Sequence, residues 1–223
     1  EPSAEQGDAF VDTLAAGRIG REAFLQSRAS WDAIVDGYTQ HCADPSFVNY
    51  FWTLRSMQAP LFMLAEVSRT LPRARMLHSI STGYAGLLGS VLQRRWDCYY
   101  LLSEHGIYTK ERKIDLAQAS WISEGPDEAL RTGLDTEFSY IRNLWIRFFE
   151  RIGLLTYRAA DPIISLYAGN RQRQIADGAH PSRTRVIPNG IAMAAWADAL
   201  QRRPAGIAPV VGLVGRVVPI KDV

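Results

Sequence analysis

The chain has 223 residues, 47% of them hydrophobic and 22% charged, with a net charge of +2. These are ordinary globular values, enough for one large core or for one and a half domains. The near-neutral balance gives no nucleic-acid footprint, and no apolar run approaches the roughly 20 residues of a membrane span.

The first seventy residues read as helical. Trp31, Ile34, Val35 and Tyr38 fall at i, i+3, i+4 and i+7, one face of a helix. Asp44-Pro45 reads as a cap with Pro at the first helical position, and Phe47, Tyr50, Phe51 and Leu54 repeat the spacing. These aromatics are expected in a core rather than against a ligand. Pro60 is expected to end or kink that helix. Residues 1–73 are therefore assigned to a helical N-terminal segment.

From residue 74 strand and helix patterns alternate. Residues 75–78 read as a strand, 79–83 as a polar turn and 84–93 as a helix. Residues 98–103 form the next strand pattern, followed by a helix over 109–121 and a break at Gly125-Pro126. A long aromatic helix spans 137–160, with core packing expected for its rings. A strand follows at 163–167, a helix at 170–176 closed by Gly178, and a strand at 185–187. Strand, crossover helix, strand, repeated, predicts an α/β fold: a Rossmann-like parallel sheet over 74–193 with helices on both faces. Residues 194–208 read as an interdomain linker. A separate strand is expected at 209–214, starting a second domain that the sequence enters but does not complete. Both ends of the sequence read as cut. Cys42 and Cys98 have no CxxC or His-rich context, so both are expected to be buried free thiols.

In parallel sheets, ligands sit at the carboxyl ends of strands. Three polar turns fall there: 79–83, 104–108 and 215–221. In the first, Ser79, Ser81 and Thr82 offer hydroxyls beside His78, and Gly83 opens a helix N-terminus. This is an acceptor or phosphate pocket, or an ordinary Ser/Thr cap. In the second, His105 follows a strand and precedes Gly106. Glu104 either orients that imidazole, binds a sugar hydroxyl or serves as a surface charge. In the third, Gly215 permits close backbone approach, and Arg216 and Lys221 suit an anionic group. Asn189-Gly190 can adopt φ > 0 and reads as a hinge. The basic cluster Lys110, Arg112 and Lys113 reads as a solvated helix face.

The tail "RVIPNGI" followed by "VGLVGRVVPIKD" resembles the hinge and first donor-domain strand of family-4 glycosyltransferases of the GT-B fold. The segments "HSISTGYAG", "SEHGIYTKER" and "LWIRFFE" narrow this to the PelF type, which serves Pel exopolysaccharide synthesis in bacterial biofilms. The resemblance covers roughly residues 45–223. It implies a retaining hexosyltransferase using a UDP-sugar, either UDP-glucose or a UDP-N-acetylhexosamine, with no metal or other cofactor. Arg216 and Lys221 would then contact the donor diphosphate, with Gly215 beside them, and His105 the donor sugar near the reacting carbon. Glu104 would be donor-side. The implied partners are the UDP-sugar, a polysaccharide acceptor and inner-membrane synthase subunits, in a cytoplasmic protein without its own membrane span. Two alternatives stay open: a GT-B sugar-nucleotide epimerase, and a non-catalytic nucleotide-sugar-binding subunit. The paired glutamates of such transferases would lie beyond Val223, so the stretch alone is expected to be inactive.

Overall fold

The computed structural model describes residues 4–17, 20–42, 46–119, 122, 140–202, 206 and 212. The chain divides into two compact units, 1–188 and 189–223.

The first unit opens with four helices: α1 (Ala4–Ala16), α2 (Arg21–Gln26), α3 (Arg28–His41) and α4 (Phe47–Thr70). Ser27 caps α3 by accepting from the Ser30 N–H at 3.2 Å, and Ser46 caps α4 by accepting from the Asn49 N–H at 3.2 Å. The cap of α4 is therefore Ser46; Asp44 and Pro45 lie outside the described residues. Pro60 does not end α4, which runs through it for 24 residues. A proline in a helix interior costs about 3 kcal/mol, but Met57, Leu61, Leu64 and Ala65 around it are all buried, and that burial holds the helix together. Ile34 and Tyr50 are buried and Phe47, Phe51 and Leu54 half-buried, but Trp31 is exposed although its ring packs on Phe47 and Phe51, so the core reading holds only in part.

The α/β part follows: β1 (Met76–Ser79), α5 (Tyr84–Trp96), β2 (Tyr99–Glu104), α6 (Tyr108–Ala117), α7 (Tyr140–Ala159), β3 (Ile163–Ser165), α8 (Ala168–Ala176) and β4 (Thr184–Val186). The four strands form one parallel sheet in the order β1-β2-β3-β4. This is a Rossmann-like α/β arrangement. Asp177 caps α8, and Gly178 then turns the chain at φ +105°, a conformation that a side chain would strain.

One expectation needs correction. Among the described residues the crossover helices lie on one face of the sheet, not both. Tyr100 of β2 stands on Gly89 of α5, where an added Cβ would sit 2.4 Å from its ring. Glu104, on the same face of β2, bonds to Tyr157 of α7 and Gln174 of α8. On the other face Met76, His78 and Tyr99 are exposed. The reason is topological. Crossovers of one hand that always step in the same direction place every helix on the same side.

The core forms two clusters. One joins Tyr100, Leu102 and Ile163 of the sheet to Tyr157 and Ala160. The other lies between α1, α4, α5 and α7, with Leu87, Val91, Phe149 and Ile152 at its centre. The α7 aromatics belong here, Trp145 stacking on Phe149 at 5.9 Å. Cys42 and Cys98 are free thiols, half-buried rather than fully buried.

In the second unit, residues 193–196 form a 3-10 turn and α9 spans Ala197–Gln201. The start of the expected linker is thus helical, in keeping with its run of Ala. Asn189 and Gly190 are exposed, and neither takes the positive φ expected of a tight turn. The expected strand at 209–214 falls outside the described residues except for Gly212.

Candidate functional site

Because β1 and β2 are parallel neighbours, Ser79 and Glu104 end on the same edge of the sheet. The turn after β1 and the loop after β2 therefore leave from that carboxyl edge together. His105 is exposed there, and Asn170 of α8 donates from Nδ2 to its backbone carbonyl at 3.2 Å. His78 is exposed on β1, and its Nε2 lies 2.6 Å from the Ser103 hydroxyl.

The remaining residues of the turn are committed internally. Ser79 pairs its hydroxyl with that of Tyr100 at 2.7 Å, and Tyr100 donates to the Gly86 carbonyl at 3.0 Å. Thr82 is fully buried and donates to Glu104 Oε1 at 3.3 Å. Gly83 is buried at the start of α5, where an added Cβ would lie 2.6 Å from the Tyr108 ring. Ser81 is half-buried, and its carbonyl accepts from the Ser79 hydroxyl at 3.4 Å. The turn's Ser79 and Thr82 hydroxyls thus hold neighbouring elements together and do not cap α5, while Ile80 is exposed and Ser81 half-buried.

Glu104 is the largest departure from expectation. It is 1% exposed, so it is neither a surface charge nor, in this conformation, a group offered to a donor sugar. Tyr157 donates its hydroxyl to Oε2 at 2.7 Å, and Gln174 donates from Nε2 to the same oxygen at 3.0 Å. Oε1 accepts the Thr82 hydroxyl and, at 3.5 Å, the Tyr108 N–H. Burial pushes the Glu104 carboxyl above its ordinary value, and these hydrogen bonds offset part of that shift. The Tyr157 hydroxyl is pushed up as well, first by burial and then by the adjacent Glu104 charge. The carboxylate ties β2 to the turn after β1, to α6, to α7 and to α8. It organises the edge from beneath, while His105 stands exposed above it.

Tyr157, Gln174 and Asn170 carried no signal in the sequence. They lie 53 to 70 positions from their partners and sit in helices without a motif. At Gly106 an added Cβ would meet only the end of the exposed, flexible Glu111 side chain. Of the basic cluster, Lys110 and Lys113 are exposed and Arg112 pairs with Asp115 at 3.1 Å, a solvated helix face. Gly215, Arg216 and Lys221 lie outside the described residues. Among the described residues no helix is long and apolar enough to cross a membrane.

Fold and site together define an α/β protein with a parallel sheet, whose carboxyl edge exposes His105 beside a buried, hydrogen-bonded glutamate, with His78 exposed on the open face of β1. The chain belongs to the family described as a domain of unknown function, DUF3492, which matches residues 3–182. No curated protein matches it.

Proposed function

We propose that the chain supplies the acceptor-side domain, and the start of the donor domain, of a retaining GT-B glycosyltransferase of the PelF type. The protein would move a hexose or N-acetylhexosamine from a UDP-sugar to a growing exopolysaccharide. One observation carries the reading. The parallel pairing of β1 and β2 brings His78, the 79–83 turn and His105 to one sheet edge, the edge at which such sheets bind ligands.

Departure of the nucleotide builds negative charge on its diphosphate. Arg216 and Lys221 stabilise that charge without a metal, and Gly215 lets the loop approach it. His105 contacts the donor sugar beside the reacting carbon. The leaving phosphate takes the acceptor proton, so no second carboxylate is needed. Glu104, being buried, positions the loop rather than the sugar. Closure about residues 188–208 excludes water from the cleft. The protein works in the cytoplasm beside inner-membrane synthase subunits.

The test is to incubate the natural protein carrying this chain with UDP-glucose and UDP-N-acetylhexosamines and a polysaccharide acceptor, following UDP release and acceptor mass. Sugar transfer that fails in His105→Ala supports the reading. Binding of UDP-sugar without any turnover would favour the non-catalytic subunit, and inversion of a sugar centre on the free nucleotide would favour the epimerase.

A further inference from the structure

Resting on the transferase reading above, we infer that Tyr167 is a stacking platform for one neutral pyranose ring of the acceptor, set beside His105 at the carboxyl edge. The register brings the two residues together. Glu104 of β2 pairs with Ser165 of β3, so the loops that carry His105 and Tyr167 leave the edge side by side. Asn170, in the first turn of α8, ties them by donating from Nδ2 to the His105 carbonyl at 3.2 Å.

The backbone of Tyr167 is fixed while its ring stays available. Its carbonyl accepts the Arg171 N–H at 3.2 Å and the Ser165 hydroxyl at 3.4 Å. The residue is nevertheless 58% exposed, and among the described residues nothing bonds to its hydroxyl and no aromatic ring packs on it. Gly169 sets where the ring lies. A Cβ there would sit 2.8 Å from Cε2 and 3.3 Å from Cδ2 of Tyr167, so the bare glycine lets the ring rest on the first turn of α8. An added methyl group would push the exposed ring aside rather than strain the fold. The surrounding chemistry selects the ligand. Residues 165–170 carry no charged side chain. Arg171, the next cation along the chain, is committed to the Thr184 hydroxyl and the Pro181 carbonyl. The loop therefore suits a neutral partner rather than an ion. An aromatic face is the negative part of the ring's quadrupole. The axial C–H groups of an equatorial pyranose form a flat, weakly positive apolar face that fits against it, and the sugar hydroxyls stay at the rim, open to water and to the polar groups of the edge.

The experiment titrates the natural protein carrying this chain, without nucleotide, with cellotetraose and with tetra-N-acetylchitotetraose by calorimetry, and measures the acceptor KM for both in the transfer assay. Saturable binding of at least one is expected. Tyr167→Ala should weaken it about threefold to tenfold, the value of one aromatic stacking contact, and raise acceptor KM by a similar factor with kcat little changed. Tyr167→Phe should keep the affinity, because the ring and not the hydroxyl carries the contact. Gly169→Ala, which leaves the tyrosine in place, should weaken binding in the same direction by displacing its ring. Both positions are exposed, so melting temperatures near wild type are expected, and Gly169→Ala decides if Tyr167→Ala fails to fold. Saccharide binding that depends on Tyr167 and Gly169, without transfer from any UDP-sugar, would remove the transferase reading and keep the stacking site. Transfer with an unchanged acceptor KM in Tyr167→Ala and Gly169→Ala would keep that reading and overturn the inference. So would absence of saturable binding of either sugar, or a loss in Tyr167→Phe as large as in Tyr167→Ala.

Discussion

Thr82, in the turn after β1, donates its hydroxyl to Glu104 at the end of β2, joining two neighbouring strand ends beneath the exposed carboxyl edge. Glu104 Oε2 meanwhile accepts from Tyr157 and Gln174, which lie in two other elements. One buried carboxylate thus anchors the frame from which His105 projects. Removing it leaves several polar groups without an acceptor in a site closed to water. Glu104→Ala should therefore destabilise the protein by about 3 kcal/mol, and Glu104→Gln, which keeps the shape and one acceptor, by less than half of that. Urea denaturation of the three proteins measures this. An alanine variant as stable as wild type would refute the anchoring role.

The same carboxyl gives a pH dependence of defined sign. Its folded-state value is raised above the ordinary 4.5 because burial disfavours the charge. The folded state therefore holds the proton more tightly than the unfolded state does. Its contribution to stability is fully present below 4.5 and is lost as pH rises through the folded value. The stability of wild type relative to Glu104→Gln should increase as pH falls from neutral toward 4.5, then level off. Chemical denaturation at a series of pH values tests this, and a flat or opposite trend would contradict it.

Close approach of α5 to the sheet depends on glycine. A Cβ at Gly86 would lie 2.6 Å from Thr156 Oγ1 and 2.7 Å from the Ser81 carbonyl, and at Gly89 2.4 Å from the Tyr100 ring. Gly89→Ala gains helix propensity of roughly 1 kcal/mol, but overpacking against a buried ring costs about 1–3 kcal/mol. The net effect should be destabilising. Tyr100→Leu combined with Gly89→Ala should recover part of the loss, because it removes the obstructing ring. Thermal melts of the single and double variants decide, and additive losses would argue against this contact as the cause.

For the proposed transferase, His105→Ala and His78→Ala should leave the melting temperature within a few degrees, since both side chains are exposed. His105→Ala should lower sugar transfer strongly. Arg216→Ala and Lys221→Ala should each lower turnover or UDP affinity about tenfold to a hundredfold, the value of a charged hydrogen bond of roughly 1.5–3 kcal/mol. Lys221→Arg should rescue only in part, because a planar fork does not replace a compact ammonium. Unchanged UDP affinity in both alanine variants would remove the diphosphate assignment.

The sequence by itself determined the order and type of the elements. Period-2 and period-3.6 patterns locate β1, β2, α5, α7 and α8 to within a few residues, because local burial periodicity is written along the chain. It also determined that β1 and β2 each run into a polar turn. Tertiary structure alone decided what those turns do. Glu104 and His105 are adjacent in sequence, yet one is sealed in a hydrogen-bonded cluster and the other exposed, because successive residues leaving a strand face opposite ways. Ser79 and Thr82 read as available hydroxyls until Tyr100 and Glu104 claim them from 21 and 22 residues away. The path of α4 through Pro60 and the placing of the crossover helices on one face were likewise tertiary outcomes. The first depends on burial against distant helices, and the second on the direction in which each crossover steps along the sheet.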